Sequence, residues 1–162
     1  MIKNLLEKKE LLKELEKKFG ESKKELNFKP SFEELENEFA LNDFILSSDF
    51  VSENFSRQLC SRIVEHYREW HGYLNNLLLP NPSYYAGQTE SKLFNSEDDR
   101  QKIWTLIKIS MKFSSMHSLL ALKHDKKLET DFINESYSSW INLFKPGLIY
   151  VMAKLNEGWK KE

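Results

Sequence analysis

The side chains best suited to chemistry in this chain are four histidines, His66, His71, His117 and His124, and a single cysteine, Cys60. A metal chelate on one helix needs two such ligands about one turn apart on the same face. His66 and His71 are five residues apart, about 140° around an α-helix, and so point to different sides. His117 and His124 share a side but lie about 10.5 Å apart along the axis. That is several times the ~2 Å of a zinc–nitrogen bond. Neither the Glu-x-x-His of di-iron bundles nor His-Glu-x-x-His occurs. No metal and no cofactor is therefore expected. His124-Asp125 repeats the dipeptide of the HD-type phosphohydrolases, yet Asp131 is the only aspartate after it. The dipeptide reads instead as one helix ending and the next beginning. Glu33-x-x-Glu36 is half of the paired acidic motif of all-α nucleotide pyrophosphatases. No Glu-x-x-Asp follows it, and it reads as a solvated helix face.

The remaining chemistry depends on how the helices bring residues together. If residues 79 and 97 are level at one end of an antiparallel pair, equal rise along both helices sets residue 60 opposite about 116. Cys60, His66, Ser110, Ser114 and His117 then form a candidate internal pocket. A cysteine nucleophile needs a depressed pKa and an orienting base. The plainer reading is a packed thiol beside a hydrogen-bonded histidine. No catalytic residue is assigned.

The elements that would position these groups are legible from the 3.6-residue period. A first helix is expected over residues 2–19, with Gly20 as its left-handed stop. Ser31 and Glu34 form a capping-box signature ahead of a second helix over 32–46, with Phe32, Leu35, Phe39 and Phe44 on its apolar side. A third runs from about 50 to Leu79 on a stripe of Leu59, Ile63, His66, Trp70, Tyr73 and Leu77, and Pro80 and Pro82 end it. Ser96 caps a fourth, reaching about Lys123, on Leu106, Ile109, Phe113, Met116 and Leu120. A fifth spans 127–145 on Ile133, Tyr137, Trp140 and Phe144. Pro146-Gly147 is read as a break before a last helix at 148–160, with Leu148, Met152, Leu155 and Trp159. The predicted fold is all-α, an up-and-down bundle of about four long core helices with an additional N-terminal helical pair. The division expected is a helical arm at 1–46 and a bundle at 47–162 within one compact domain.

Composition agrees with that class. Of 162 residues, 40% are hydrophobic and 30% charged, with five glycines and four prolines, which favours long helices over many-turned β folds. One cysteine excludes an intramolecular disulfide. No run approaches the ~20 apolar residues of a membrane helix, and the first residues have no apolar signal segment, so a cytoplasmic location is expected. The net charge of −1 conceals a segregation: residues 1–29 carry nine Lys against six Glu, whereas 30–56 carry five Glu and two Asp with no Lys or Arg. Duplex binding draws on a concentrated basic stripe. None is visible, and nucleic acid is not an expected partner.

These features rank a non-enzymatic interaction protein first, a small subunit or adaptor that docks to a protein partner or to itself. Its expected contacts are Leu5, Leu12, Leu15 and Phe19, a short coiled-coil-like seam, together with Tyr84 and Tyr85 in the long 80–96 connection. On this reading, deleting residues 1–29 leaves a folded bundle but abolishes association. An enzyme or small-ligand binder built on the internal pocket ranks second. A small subunit of a nucleoprotein complex ranks third. Helix content above about 65% with no sheet is the expected circular dichroism signature, since every segment outside the connections keeps the helical period.

Overall fold

A computed structural model describes residues 4–162. The expected start of the first helix at residue 2 lies outside the described residues. Among the described residues the chain is 82% helical, has no strand and packs its helices as a bundle. Helix α1 (Leu5–Leu26) opens with a capping box at Asn4. Its side-chain oxygen accepts from Glu7 N–H at 2.9 Å, and Asn4 N–H donates to Glu7 Oε2 at 3.2 Å. Gly20 is not the stop. The helix continues through Glu21–Leu26, a stretch of good helix formers, and its left-handed residue is Asn27, with φ 54°. Lys23 secures the exit by donating to the carbonyls of Phe28, Lys29 and Pro30 at 2.8–3.0 Å.

The capping box at Ser31 and Glu34 forms as the sequence predicts, but the helix it starts breaks in two, α2 (Phe32–Phe39) and α3 (Leu41–Ser48). Phe39 and Leu41 are both fully buried, yet two positions in one α-helix stand about 200° apart. Ala40 resolves the conflict by adopting φ 49°, a conformation costing an L-residue roughly 1–2 kcal/mol. Arg62 Nε caps the freed Phe39 carbonyl at 2.7 Å, and Asn42 N–H donates to Glu36 Oε2 at 2.8 Å.

Helix α4 (Phe55–Leu78) starts five residues later than expected, because Asp49 turns left-handed at φ 72° and 50–54 is a connection. Gln58 pins that connection, accepting from Ser52 N–H at 2.8 Å and donating to the Phe50 carbonyl at 3.2 Å. Beyond Pro80 and Pro82 the expected loop contains a two-turn helix, α5 (Tyr85–Lys92). Helix α6 (Glu97–Lys123) begins where Ser96 Oγ accepts from Asp99 N–H. It ends at His124, left-handed at φ 51°, and Asp125 caps α7 (Lys126–Ser139) by accepting from Lys127 and Leu128 N–H.

Pro146-Gly147 does not break the chain. Between α7 and α8 (Lys145–Trp159) lies a π-helical turn, Trp140–Phe144, and the run is helical throughout. Lys145 N–H bonds the Trp140 carbonyl five residues back. The N–H that proline lacks is therefore missed just where the usual four-residue ladder is already interrupted. Glycine follows for a packing reason: a Cβ on Gly147 would stand 2.5 Å from Leu106 Cδ2.

The chain forms two compact units. The first comprises residues up to His66 with His117–Tyr137, and the second Tyr67–Met116 with Ser138–Glu162. The first is organised on Phe19, whose ring meets Phe28, Phe32 and Phe55 edge-on at 5.2–6.2 Å. The second is organised on Tyr67, fully buried with ring centroids 4.7–5.4 Å from Phe113, Trp140 and Phe144. Within each unit α4 and α6 run antiparallel: Ser61 meets His117 in the first, His71 meets Ser110 in the second. On α4 the buried side comprises Leu59, Cys60, Ile63, Val64, Tyr67, Leu74 and Leu77. His66, Trp70 and Tyr73, expected inside, sit half-buried at its margin.

Leu15 of α1 is fully buried, and Leu11 and Phe19 nearly so. Leu15→Ala is therefore expected to cost on the order of 2–5 kcal/mol through the cavity it leaves. Deletion of residues 1–29 should lower the melting temperature sharply, in place of the intact truncated bundle expected from the sequence. Thermal melts of both proteins followed by circular dichroism check this, and unchanged melting would show that α1 is not part of the core.

Candidate functional site

Cys60 and His117 do line a common cavity. It lies in the first unit, holds about 260 Å³, and is completed by Arg57, Ser61, Leu120, Ala121, His124 and Glu129. Most of its polar groups already have partners. His117 Nε2 and Ser61 Oγ are 3.1 Å apart. Glu129, buried in the first turn of α7, accepts from Arg57 Nε at 3.2 Å and Ser56 Oγ at 2.7 Å. These donors compensate the carboxylate for lost water, as a buried charge requires. Burial, and secondarily the Glu129 charge, push the Cys60 thiol far up. Cys60 is therefore a neutral packed thiol at physiological pH, the opposite of an activated nucleophile. Among the described residues no group of three His, Cys, Asp or Glu is arranged to hold a metal ion.

The other three candidate pocket residues have different surroundings. His66 Nδ1 lies 3.1 Å from the Arg62 carbonyl, and its ring stands edge-on to Phe39 at 5.1 Å. Ser110, fully buried in the second unit, donates to the Ile107 carbonyl and is 2.9 Å from Nδ1 of His71, five residues beyond the histidine that helix counting sets opposite it. Ser114 is half-buried.

Of the candidate contact residues, Leu15 and Phe19 are buried inside the first unit, Leu12 is half-buried and Leu5 is exposed. Tyr84 and Tyr85 are 60% and 86% exposed. They form the free end of an otherwise anchored segment. Glu90 of α5 accepts from the Tyr73 hydroxyl and Trp159 Nε1, each at 2.9 Å. Ser91 donates to the Leu77 carbonyl, and Phe94 is fully buried.

One apolar surface feature is not singled out by the helical stripes. Along Trp140–Trp159 the inward positions are Trp140, Phe144, Leu148, Val151 and Leu155. Leu143 and Ile149 project outward, 59% and 60% exposed, with Tyr150 at 41%. Pro146 and Ala153 lie exposed among them. From Trp140 to Ala153 the only charged residue is Lys145, half-buried. Apolar grooves flank this ridge. One, about 570 Å³, is lined by Trp70, Trp140, Leu148, Ile149 and Met152 with Lys145 and Asn156 at its rim; the second, about 430 Å³, by Leu106, Ile109, Leu143, Gly147 and Tyr150 on one part and by Asp98, Gln101, Lys102 and Thr105 on the other. The signal was present in the adjacent pairs Leu143-Phe144 and Leu148-Ile149. Neighbours in a helix are about 100° apart, and both cannot point into one core.

Tyr150 is anchored on this face. The Tyr150 hydroxyl donates to Asp99 Oδ1 at 2.6 Å, the Lys154 ammonium binds the other carboxylate oxygen, and Lys102 Nζ stands 4.5 Å from the Tyr150 ring centre. The hydrogen bond from Lys154, then that from Tyr150, outweigh burial and hold the Asp99 carboxyl down to about 2.

No protein-family model matches the chain, and no curated protein or solved structure matches it either. The arrangement of its own residues therefore carries the functional reading.

Two outcomes follow from these groups. In the native protein Cys60 should resist a thiol-reactive disulfide reagent and react fully once denaturant exposes it; rapid native labelling would show an open, activated thiol. The Asp99 carboxyl is depressed from its ordinary 3.8 to about 2, so its contribution is complete above about pH 4 and disappears as pH falls toward 2. Asp99→Asn should lower stability at neutral pH and flatten the acid limb of melting temperature against pH over that window. Parallel acid limbs in the two proteins would contradict this role.

Proposed function

We propose that this protein is a non-enzymatic helical interaction protein that docks a protein partner on the outer face of α8 and the π-turn before it. The observation that supports this reading is the uncharged ridge of Leu143, Ile149 and Tyr150 between two apolar grooves. Contiguous exposed apolar surface is unusual on a soluble domain unless something covers it. Full burial of a Leu or Ile side chain contributes on the order of 1.5–3 kcal/mol. Tyr150 adds a ring already fixed by Asp99 and Lys102, so little of its rotamer freedom is lost on docking. A rigid aromatic beside aliphatic projections and concave apolar walls is the composition of an interface centre.

The cavity beside Cys60 supports the ligand-binding alternative less well. Its His117 is paired with Ser61 and its Glu129 with Arg57 and Ser56, and its thiol is protonated. A nucleic-acid role has the least support, because Lys145 and the Asp98-paired Lys102 beside the ridge form no concentrated basic stripe to track phosphates.

A photo-activated cross-linking residue placed at Ile149 in the cell tests the reading, with the same residue at exposed Lys9 as control. A discrete protein adduct at position 149 and none at position 9 is the expected result. Absence of any adduct at 149, or equal labelling at both positions, would overturn it.

A further inference from the structure

The groove on the Trp70 side of the ridge has its polarity arranged lengthwise. Lys145, Ile149, Met152 and Asn156 follow one another at the spacing of a single side of α8, and all four line this groove. A half-buried cation therefore stands at one end and a neutral carboxamide at the other. Between them the lining is apolar, Leu148, Ile149, Met152 and Ala153, and the indoles of Trp70 and Trp140 complete it. We infer that this groove binds a free fatty carboxylate, its head group on Lys145 and its alkyl chain along α8 toward Asn156. The inference goes beyond the docking reading above, since it assigns a small-ligand site and needs no protein partner.

Charge, hydrogen-bonding character and length select this class of ligand. Among the described residues Lys145 is the only charged residue lining the groove, and no Asp or Glu joins it. The complementary ligand thus has one negative charge, placed at one end. The ammonium and the two indoles donate hydrogen bonds and accept none, so acceptor oxygens suit them and a cationic head group does not. Eleven residues separate Lys145 from Asn156, about 16.5 Å of helix. Staggered C–C bonds of about 1.5 Å each advance a chain by about 1.25 Å, so a chain of about twelve carbons reaches about 14 Å. The groove's volume of about 570 Å³ lies within the roughly 300–1,000 Å³ of small-molecule sites, which are likewise mostly apolar with a few placed polar groups. A bilayer is the poorer source of the same head group. Attraction to anionic membranes draws on clusters of about four to eight Lys or Arg, and this groove has one cation.

Titration of the purified full-length protein with dodecanoate below its micellar range tests the inference, followed by tryptophan emission because Trp70 and Trp140 line the groove. Saturable binding of one carboxylate per chain is expected. Affinity should rise by up to about fourfold for each methylene from octanoate to dodecanoate, the gain for a buried methylene, and level off by hexadecanoate, whose chain outruns Asn156. Dodecyltrimethylammonium should bind roughly tenfold more weakly or worse, and Lys145→Gln should weaken dodecanoate by about fivefold or more while leaving dodecanol unaffected. Should that variant lose helicity, Ala153→Glu replaces it, at an exposed position lining the groove, and should weaken dodecanoate as much. No saturable response, equal binding of the cationic amphiphile, or full affinity in a folded variant overturns the inference. Binding to anionic phospholipid vesicles without binding of the free carboxylate overturns it too. The in-cell cross-link separates the two readings. An adduct at position 149 without carboxylate binding leaves the docking reading standing and removes this one, and carboxylate binding without an adduct does the reverse.

Discussion

The last third of the chain depends on a mismatch of periods. Buried positions recur every four residues at Ser136, Trp140, Phe144 and Leu148. An α-helix turns once every 3.6 residues, so such a stripe drifts by about 40° at each step. The π-turn at Trp140–Phe144 takes up the surplus. Within the second unit it holds Trp140 and Phe144 together against Tyr67 and still delivers Leu148, Val151 and Leu155 to the buried side. Pro146 and Gly147 are adapted to the same turn, one lacking the N–H that the widened ladder does not need, the other lacking the Cβ that Leu106 would meet. The inward register set in this way also decides which residues point out.

The first unit solves a different problem, the burial of many aromatic rings beside a dense population of charge. Phe19 gathers Phe28, Phe32 and Phe55 in edge-on contacts, which suit the ring quadrupoles. Charges that approach this core are given partners: Glu129 has Arg57 and Ser56, and the Lys23 ammonium has three carbonyls. Arg62 lies over the Phe44 ring at 5.2 Å while capping the carbonyl at the α2–α3 break. Such arrangements leave a well-packed scaffold with little idle chemical capacity. They are the physical reason why the cavity beside Cys60 is a weaker functional candidate than the surface of the second unit.

The all-α class, the extents of α4 at its C-terminal end and of α6, and the caps at Ser31, Ser96 and Asp125 were legible because each rests on local rules: a hydrophobic period, or a side chain within three residues of the amide it receives. The misreadings share a cause as well. Gly20 and Pro146-Gly147 are helix breakers by intrinsic preference, and tertiary contacts or a neighbouring π-turn determined otherwise. The break at Ala40 has no glycine, and its only trace is the incompatible pair Phe39 and Leu41. The partnership of Ser110 with His71 instead of His66 turns on the register between helices, which equal-rise counting misses by five residues there although it comes within two at Ser61 and His117. The outer face of α8 was hidden because a stripe search asks which residues point inward and does not ask what is left over.

A π-turn is what remains when one residue is inserted into an α-helix. Remove one residue between Trp140 and Phe144, and the run closes into regular α-helix with Leu148, Ile149 and Tyr150 facing as before, because the π-turn already holds the surplus residue. Remove one from the regular helix that follows, and everything beyond it turns by about 100°. The identity of this surface is thus written in the length of the chain as much as in its side chains. The π-turn is a place where the chain can lose a residue and keep its face, whereas a single-codon deletion in α8 would replace part of that face with another.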